Sequence, residues 1–102
     1  MKNPKAIYKY THTGEVGYMH YVVFEGKVVV LSKLDSLKIN FIEENGKLEV
    51  TANIKDNNYS EVKCKVERDL SYVQKVYDYM QETNNSYFNE GIEGLCAIIF
   101  EK

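Results

Sequence analysis

Six stretches of the chain show the alternation or the density of apolar residues that is typical of β-strands. In residue numbers they are 5–11, 18–24, 27–32, 48–54, 59–67 and 95–100. The third stretch contains the run 28–31, which is apolar on both faces and predicts a central strand covered on both sides. The fifth alternates charged residues with Val62, Cys64 and Val66, which predicts a half-exposed antiparallel strand.

The period of apolar positions changes after Leu34 and predicts a short amphipathic helix that ends at about Glu44. Asp35 is the predicted N-cap, and Gly46 suits the left-handed position that follows a helix. The apolar side of this helix would consist of Leu37, Phe41 and Ile42.

A second helix is predicted over residues 71–83, where Ser71 and Gln74 match the spacing of a capping box. Its buried stripe would consist of Val73, Val76, Tyr77 and Met80. Turn residues separate the predicted elements at 13–17, 25–26, 55–58 and 84–86.

The predicted order is therefore β-β-β-α-β-β-α-β. Six strands, mostly short connections and only two helices favour a mainly β (β+α) fold, an antiparallel barrel, over a parallel sheet of βαβ units. The length of 102 residues fits a single domain over 1–102.

Composition limits the possible partners and compartments. The formal net charge of −2 argues against a general nucleic-acid partner. No apolar run reaches the ~20 residues needed to cross a bilayer, so no membrane association is expected. The first five residues lack the apolar core of a signal peptide, which favours a cytoplasmic protein. Cys64 and Cys96 are predicted to be buried free thiols, and neither has a second ligand at metal-site spacing.

The segment 31–38 has the composition of a phosphate site, because two serines and two lysines lie where a buried strand passes into a helix. The first amides of a helix lack internal partners and carry partial positive charge, so Ser36 and Lys38 could complete an anion cradle. In the simpler interpretation, Asp35 caps the helix and Lys38 is a solvated surface residue. On spacing alone, the simpler interpretation is favoured over the anion cradle.

Three short stretches, 26–32, 36–39 and 45–48, resemble the pyridoxamine 5′-phosphate oxidase-like split barrels. The last part of the chain, 87–91 with 95–100, is similar to the small general stress protein branch of that group. The resemblance implies a six-stranded antiparallel split β-barrel that holds the phosphate of FMN with a Ser/Thr and a Lys of this region. Carried over, those roles fall on Ser32, Ser36 and Lys38, with Lys33 as a further candidate.

The resemblance also implies a homodimer, with the flavin ring at the interface against the second and third strands. His20 and Tyr21 of the second strand are the predicted contacts of the ring, although a lone strand histidine is more often structural. Tyr87 and Phe88 could close over the pocket, or simply pack in their loop. The sequence departs from the usual pattern at Gly46, where a proline is common, and no arginine lies in the phosphate segment.

Three functions remain open from the sequence. The first is an FMN-dependent oxidoreductase acting on a small molecule, in which the cofactor supplies the chemistry. The second is a non-enzymatic ligand-binding or stress-related module that has lost tight cofactor binding. The third, an oligonucleotide-binding barrel, is disfavoured by the acidic balance. No catalytic residue is assigned, because His12 and His20 lack the partners of a nucleophilic triad.

Overall fold

The structure is a computed structural model, and it describes residues 7–53, 55, 57–83, 88 and 90–101. Its elements in chain order are β1 (Ile7–His12), β2 (Glu15–Phe24), β3 (Lys27–Lys33), α1 (Leu37–Asn45), β4 (Lys47–Thr51), β5 (Ser60–Glu67), α2 (Leu70–Glu82) and β6 (Leu95–Glu101). The order β-β-β-α-β-β-α-β is confirmed.

The six strands form one closed antiparallel barrel in the order β1-β2-β3-β6-β5-β4. The first three strands follow one another as a meander, and β6 then inserts between β3 and β5. Pairing of β4 with β1, at Tyr10 with Val50, closes the barrel. Closure pairs each of the six described strands on both sides, which is how a small antiparallel protein satisfies its backbone hydrogen bonds.

Strand β3 lies between two hydrophobic clusters, because its alternate side chains point to opposite faces. Val30 belongs to the cluster inside the barrel, with Leu48 and Ile98. Val29 and Leu31 belong to an outer cluster that includes Val73, Val76 and Met80 of α2. The prediction of a central strand covered on both sides is confirmed.

The two helices cover different parts of the barrel. Helix α1 packs against β4 and β5, and its Ile39 and Ile42 join the inner cluster, so it covers one end of the barrel. The predicted apolar side of α1 is wrong at Leu37, which is exposed, and Ile39 is buried instead. Helix α2 packs on the outer surface of β2, β3 and β6. Its predicted buried stripe is confirmed, with Val73, Val76 and Met80 buried and Tyr77 half-buried.

Both predicted helix caps are wrong by position. Ser36 rather than Asp35 occupies the N-cap position of α1, because the amide of Ser36 donates to the carbonyl of Lys33 and forms a turn that delays the helix by one residue. Helix α2 is capped by Asp69, whose carboxylate accepts from the amide of Ser71. A carboxylate earlier in the chain thus takes the role predicted for Ser71.

Most boundaries agree with the sequence patterns to within a few residues. The turn predicted over 13–17 is shorter, because β2 already begins at Glu15. The strand predicted over 48–54 ends at Thr51. Gly46 has φ 69° and ψ 17° and ends α1 in the left-handed conformation, as predicted. The start of the first predicted strand at 5–6, the turn at 84–86 and Tyr87 lie outside the described residues.

Cys64 and Cys96 are free and buried, as predicted. Burial raises the pKa of the Cys64 thiol to about 12 and also raises that of Cys96. None of the helices in the described part of the chain has the length and apolar character needed to cross a membrane.

Candidate functional site

A cavity of about 380 Å³ lies where β2 and β3 pass the C-terminal end of α2 and the first turn of α1. Its walls come from five separate parts of the chain: Tyr18, Met19 and His20 of β2, Leu31 of β3, Lys38 of α1, Met80 of α2 and Phe88. Most of this lining is apolar or aromatic. The volume falls in the range of about 300–1,000 Å³ that is usual for small-molecule sites.

Lys38 contributes the positive charge of the cavity. It lies in the first turn of α1 and is half-buried, and its Nζ donates to Ser36 Oγ at 3.1 Å. The same Nζ lies 5.2 Å from the centroid of the Tyr10 ring. Burial lowers the pKa of the Lys38 ammonium, and no carboxylate among the described residues pairs with it. A half-buried cation without an anionic partner is the arrangement expected of an anion-binding group.

The N-terminus of α1 adds to this positive character. The Ser36 hydroxyl makes no capping bond to the helix, and the first turn carries no acidic side chain. The first amides of a helix have no intrahelical acceptor and carry partial positive charge. Helix and lysine together therefore favour an anion in this part of the molecule.

His20 and Tyr18 lie on the outer face of β2, because Met19 between them points into the barrel. Both residues line the cavity, and Tyr18 remains 59% exposed at its rim. Leu31 and Met80 provide apolar surface from β3 and α2. The arrangement offers apolar cover for a flat ring, with the polar group of His20 beside it.

Of the predicted site residues, the structure brings together Ser36, Lys38 and His20. Lys38 and His20 line the cavity, and Ser36 accepts the hydrogen bond of the lysine. Ser32 and Tyr21 are placed elsewhere. Ser32 is buried, and its Oγ donates to the carbonyl of Lys33 at 3.2 Å. Tyr21 packs against the inner cluster, where its ring stacks on Tyr8 at 4.3 Å.

Lys33 lies at a second, more open depression of about 1000 Å³. The lining of that depression is Lys33, Leu34, Asp35, Phe88, Glu90, Gly91, Glu93, Gly94 and Leu95. Phe88 lines both the cavity and the second depression, so it lies between them. The second depression carries acidic side chains of the loop before β6, so its lysine does not reinforce the positive charge at Lys38.

Three residues of the site were not assigned from the sequence. Tyr18 and Met80 line the cavity, and Tyr10 lies beneath the Lys38 ammonium. Met80 was recognised only as part of a buried helical stripe, since a methionine in such a stripe usually belongs to the core. No sequence signal distinguishes Tyr10 among nine tyrosines, because its position depends on the register of β1 against β2.

Comparison with known proteins identifies the fold. No protein-family model matches the chain, and no curated protein sequence matches it. Among solved structures, it is similar to a provisionally named pyridoxamine 5′-phosphate oxidase from Listeria innocua, with a TM-score of 0.60, 10% identity and coverage of 93% of this chain and 80% of that one. A NimC/NimA family protein from Clostridium acetobutylicum is similar with a TM-score of 0.60, 16% identity and coverage of 92% and 70%.

Both neighbours fit the split barrel of the pyridoxamine 5′-phosphate oxidase-like type, so this fold is established for the chain. The low identities mean that the similarity concerns the arrangement of strands and helices. The residues of the cavity are therefore interpreted from their own geometry.

Proposed function

We propose that this protein binds FMN in the cavity between β2, β3 and the C-terminal end of α2. The half-buried Lys38, on the wall of an otherwise apolar cavity, is the observation that carries the proposal. A phosphate beside Nζ would replace the water that burial removes from the ammonium. The apolar lining would cover the isoalloxazine ring.

The residues present fit a monophosphate ester attached to a flat ring. Charge-assisted hydrogen bonds to phosphate are about twice as strong as neutral ones, and Lys38 can donate such a bond. The ring would lie against Leu31, Met80 and Phe88, with His20 as a polar contact. Ser36 holds the lysine by accepting its hydrogen bond, so it contributes through Lys38.

Bound FMN would supply hydride transfer, and this would make the protein an oxidoreductase acting on a small molecule. The chain's own residues would bind the phosphate, cover the ring and keep water from one side of it. Phe88 lies between the cavity and the second depression, and this depression would give the substrate room to approach the bound flavin.

The test compares flavins with and without the phosphate. FMN and riboflavin are titrated against the purified protein, and quenching of flavin fluorescence gives both dissociation constants. We expect tighter binding of FMN, and Lys38→Glu should remove that preference by placing a carboxylate against the phosphate. The pH profile provides a second signature, because FMN binding needs the Lys38 ammonium. The preference for FMN should fall as pH rises, and it should begin to fall below the ordinary lysine pKa of 10.5.

Lys65→Glu is the matched control, since it makes the same charge change at an exposed position of β5 that does not line the cavity. Its affinity for FMN should equal that of the wild type. If Lys38→Glu binds FMN as tightly as the control does, the phosphate is held elsewhere. If neither flavin binds the wild type, the flavin assignment itself is wrong.

The alternative is a non-enzymatic binding module that has kept the barrel without tight cofactor binding. One observation favours it, namely that Lys38 is the only lysine or arginine among the described residues that line the cavity. Weak flavin binding with no reduction of bound FMN by NADH or NADPH would support this second function over the first.

We further propose a homodimer, as is common for small domains with modest cores. Large apolar side chains are exposed near the cavity: Leu37 is 67% exposed next to Lys38 in the chain, and Val16 is 55% exposed on the same face of β2 as Tyr18. A second copy would cover this surface. Light scattering should give the mass of a dimer for the wild type and of a monomer for Leu37→Asp. A monomeric wild type would contradict the proposal.

A further inference from the structure

Tyr10 on β1 lies directly across the sheet from Gly17 on β2. A Cβ atom placed on Gly17 would approach the Tyr10 hydroxyl oxygen to 2.5 Å and the ring carbon that carries it to 2.6 Å. Real Cβ atoms do not make such contacts, so the tyrosine ring occupies the space that any other residue would need at position 17. An aromatic ring folded over a cross-strand glycine is a known way to stabilise that position in a sheet.

The same ring lies beneath the cation of the cavity. Lys38 Nζ is 5.2 Å from the Tyr10 centroid, within the ~6 Å limit for an attractive contact between an ammonium and the face of an aromatic ring. With the bond to Ser36 Oγ at 3.1 Å, the ammonium has two described contacts. Neither contact carries a negative charge, so both hold the ammonium in place without neutralising it.

The position of the ring is defined by its neighbours. The His12 ring is nearly parallel to Tyr10, with centroids 5.9 Å apart, and Phe41 of α1 lies 5.5 Å from His12. Tyr10 therefore contacts a parallel histidine ring and a lysine ammonium, and the end of its side chain lies against Gly17.

We propose that Tyr10 is a positioning residue for the Lys38 ammonium, and that glycine at position 17 leaves the space in which the ring lies. The inference rests on the proposed anion site, since the function of a positioned ammonium is to meet the phosphate. Its consequence is selective. Disturbing Tyr10 should weaken the binding of phosphate-bearing ligands and leave binding of the bare ring system unchanged.

The experiment uses the full chain and three variants, each with FMN and riboflavin as the probes. Tyr10→Phe keeps the aromatic face and should bind FMN within twofold of the wild type. Tyr10→Leu removes the face and should weaken FMN binding roughly 3- to 30-fold, the range expected for losing a partly desolvated contact of this type. Gly17→Ala should act in the same direction by displacing the ring. Binding of riboflavin should remain unchanged in all three.

Combining the changes distinguishes positioning from a general structural role. In a Lys38→Met background, Tyr10→Leu should cause no further loss of FMN affinity, because the group that it positions is gone. Gly17→Ala should likewise be harmless once Tyr10 is leucine. Additive losses, or equal losses for FMN and riboflavin, would show that Tyr10 supports the cavity as a whole, and would overturn the proposal.

A measurement without ligand keeps this inference separate from the flavin assignment. Acetylation of each lysine by a limiting amount of reagent is followed by peptide mass spectrometry. Lys38 should react faster in Tyr10→Leu than in the wild type or in Tyr10→Phe, with Lys65 as the exposed internal reference and circular dichroism as the check of folding. An unchanged Lys38 rate in a folded Tyr10→Leu variant would refute the positioning role. Failure of the wild type to bind flavin would count against the proposed function alone.

Tyr59 provides a matched control for the loss of a ring under a lysine. Lys9 Nζ lies over the Tyr59 ring, 5.7 Å from its centroid, and Tyr59 does not line the cavity. Tyr59→Leu should leave both the FMN preference and the Lys38 acetylation rate at wild-type values. A change in either readout comparable to that of Tyr10→Leu would mean that the effect is not specific to the ring beside the cavity, and would also overturn the proposal.

Discussion

Replacing Lys38 by methionine should stabilise the ligand-free protein while removing its response to FMN. The side chain is half-buried, and its ammonium contacts only a hydroxyl and an aromatic face among the described residues. Methionine has a similar length and has no charge to desolvate. The prediction follows from the idea that a residue placed for ligand binding costs stability when the ligand is absent.

The expected gain is the difference between two opposing contributions. A buried ion loses several kcal/mol of hydration, and partial burial reduces this to about 3 kcal/mol. The bond to Ser36 returns about 1 kcal/mol, and the contact with Tyr10 returns about 1 kcal/mol. The net gain of Lys38→Met is then about 1 kcal/mol, which raises Tm by roughly 4–8 °C in a domain of this size. FMN at a hundred times its Kd should stabilise the wild type by about 2.7 kcal/mol and the variant by far less.

Urea unfolding followed by circular dichroism, with and without FMN, measures both effects. Lys65→Met is the control, because its lysine is exposed and its replacement should change stability little. The pH dependence of unfolding also tests whether the lysine destabilises the ligand-free protein. The pKa of Lys38 in the folded state lies below its value of 10.5 in the unfolded chain. At pH values between the folded and the unfolded pKa, the unfolded chain binds more protons, so the stability of the wild type rises with pH relative to that of the variant. The advantage of methionine should therefore shrink across that interval.

A Lys38→Met variant less stable than the wild type in the absence of ligand would refute this reasoning. It would mean that the contacts of the ammonium outweigh its loss of hydration, and that Lys38 has a structural role in the empty protein.

Three further predictions concern the fold. Cys64 should resist thiol reagents until the protein unfolds. Because folding raises its pKa from 9.0 to about 12, its contribution to stability is complete below pH 9 and is lost as pH rises from 9 towards 12. Base titrations followed by circular dichroism should show this loss in the wild type, and Cys64→Ala should abolish it. Gly46→Ala should cost about 1 kcal/mol in urea unfolding through backbone strain alone, since a Cβ there meets no atom within 4 Å, and Gly46→Asn should cost less. Asp69→Ala should cost about 1 kcal/mol by leaving the Ser71 amide without its acceptor, whereas Asp69→Asn, which keeps a capping oxygen, should cost less; equal losses would contradict the capping role.

The order of elements and the fold class could be predicted from the sequence. Alternation of apolar side chains marks strands, and the 3.6-residue period marks helices, because each reflects which side chains face the core locally. Gly46 ends α1 as predicted, since left-handed backbone at a helix end strongly favours glycine. The prediction that Ser36 and Lys38 bind a phosphate rests on their place at a strand-to-helix junction together with the resemblance to the pyridoxamine 5′-phosphate oxidase-like barrels.

The helix caps show where local patterns are insufficient. Asp35 and Ser71 are both good capping residues, yet Ser36 and Asp69 occupy the N-cap positions, and of these two only Asp69 makes a side-chain capping bond. Several residues near a helix start can serve, and the path of the preceding chain selects among them. The turn formed by the Ser36 amide and the Lys33 carbonyl makes that selection for α1.

What the sequence by itself determined is the set of elements and their order, and it predicts which residues would bind a phosphate. Tertiary structure alone decided that β6 inserts between β3 and β5, that Met80 and Phe88 meet Lys38 around one cavity, and that Tyr10 crosses Gly17 to lie beneath the ammonium. The physical reason is that barrel closure and strand register join residues far apart in the chain. Local periodicity reports which face of an element is buried, but it carries no information about which distant side chain will lie against that face.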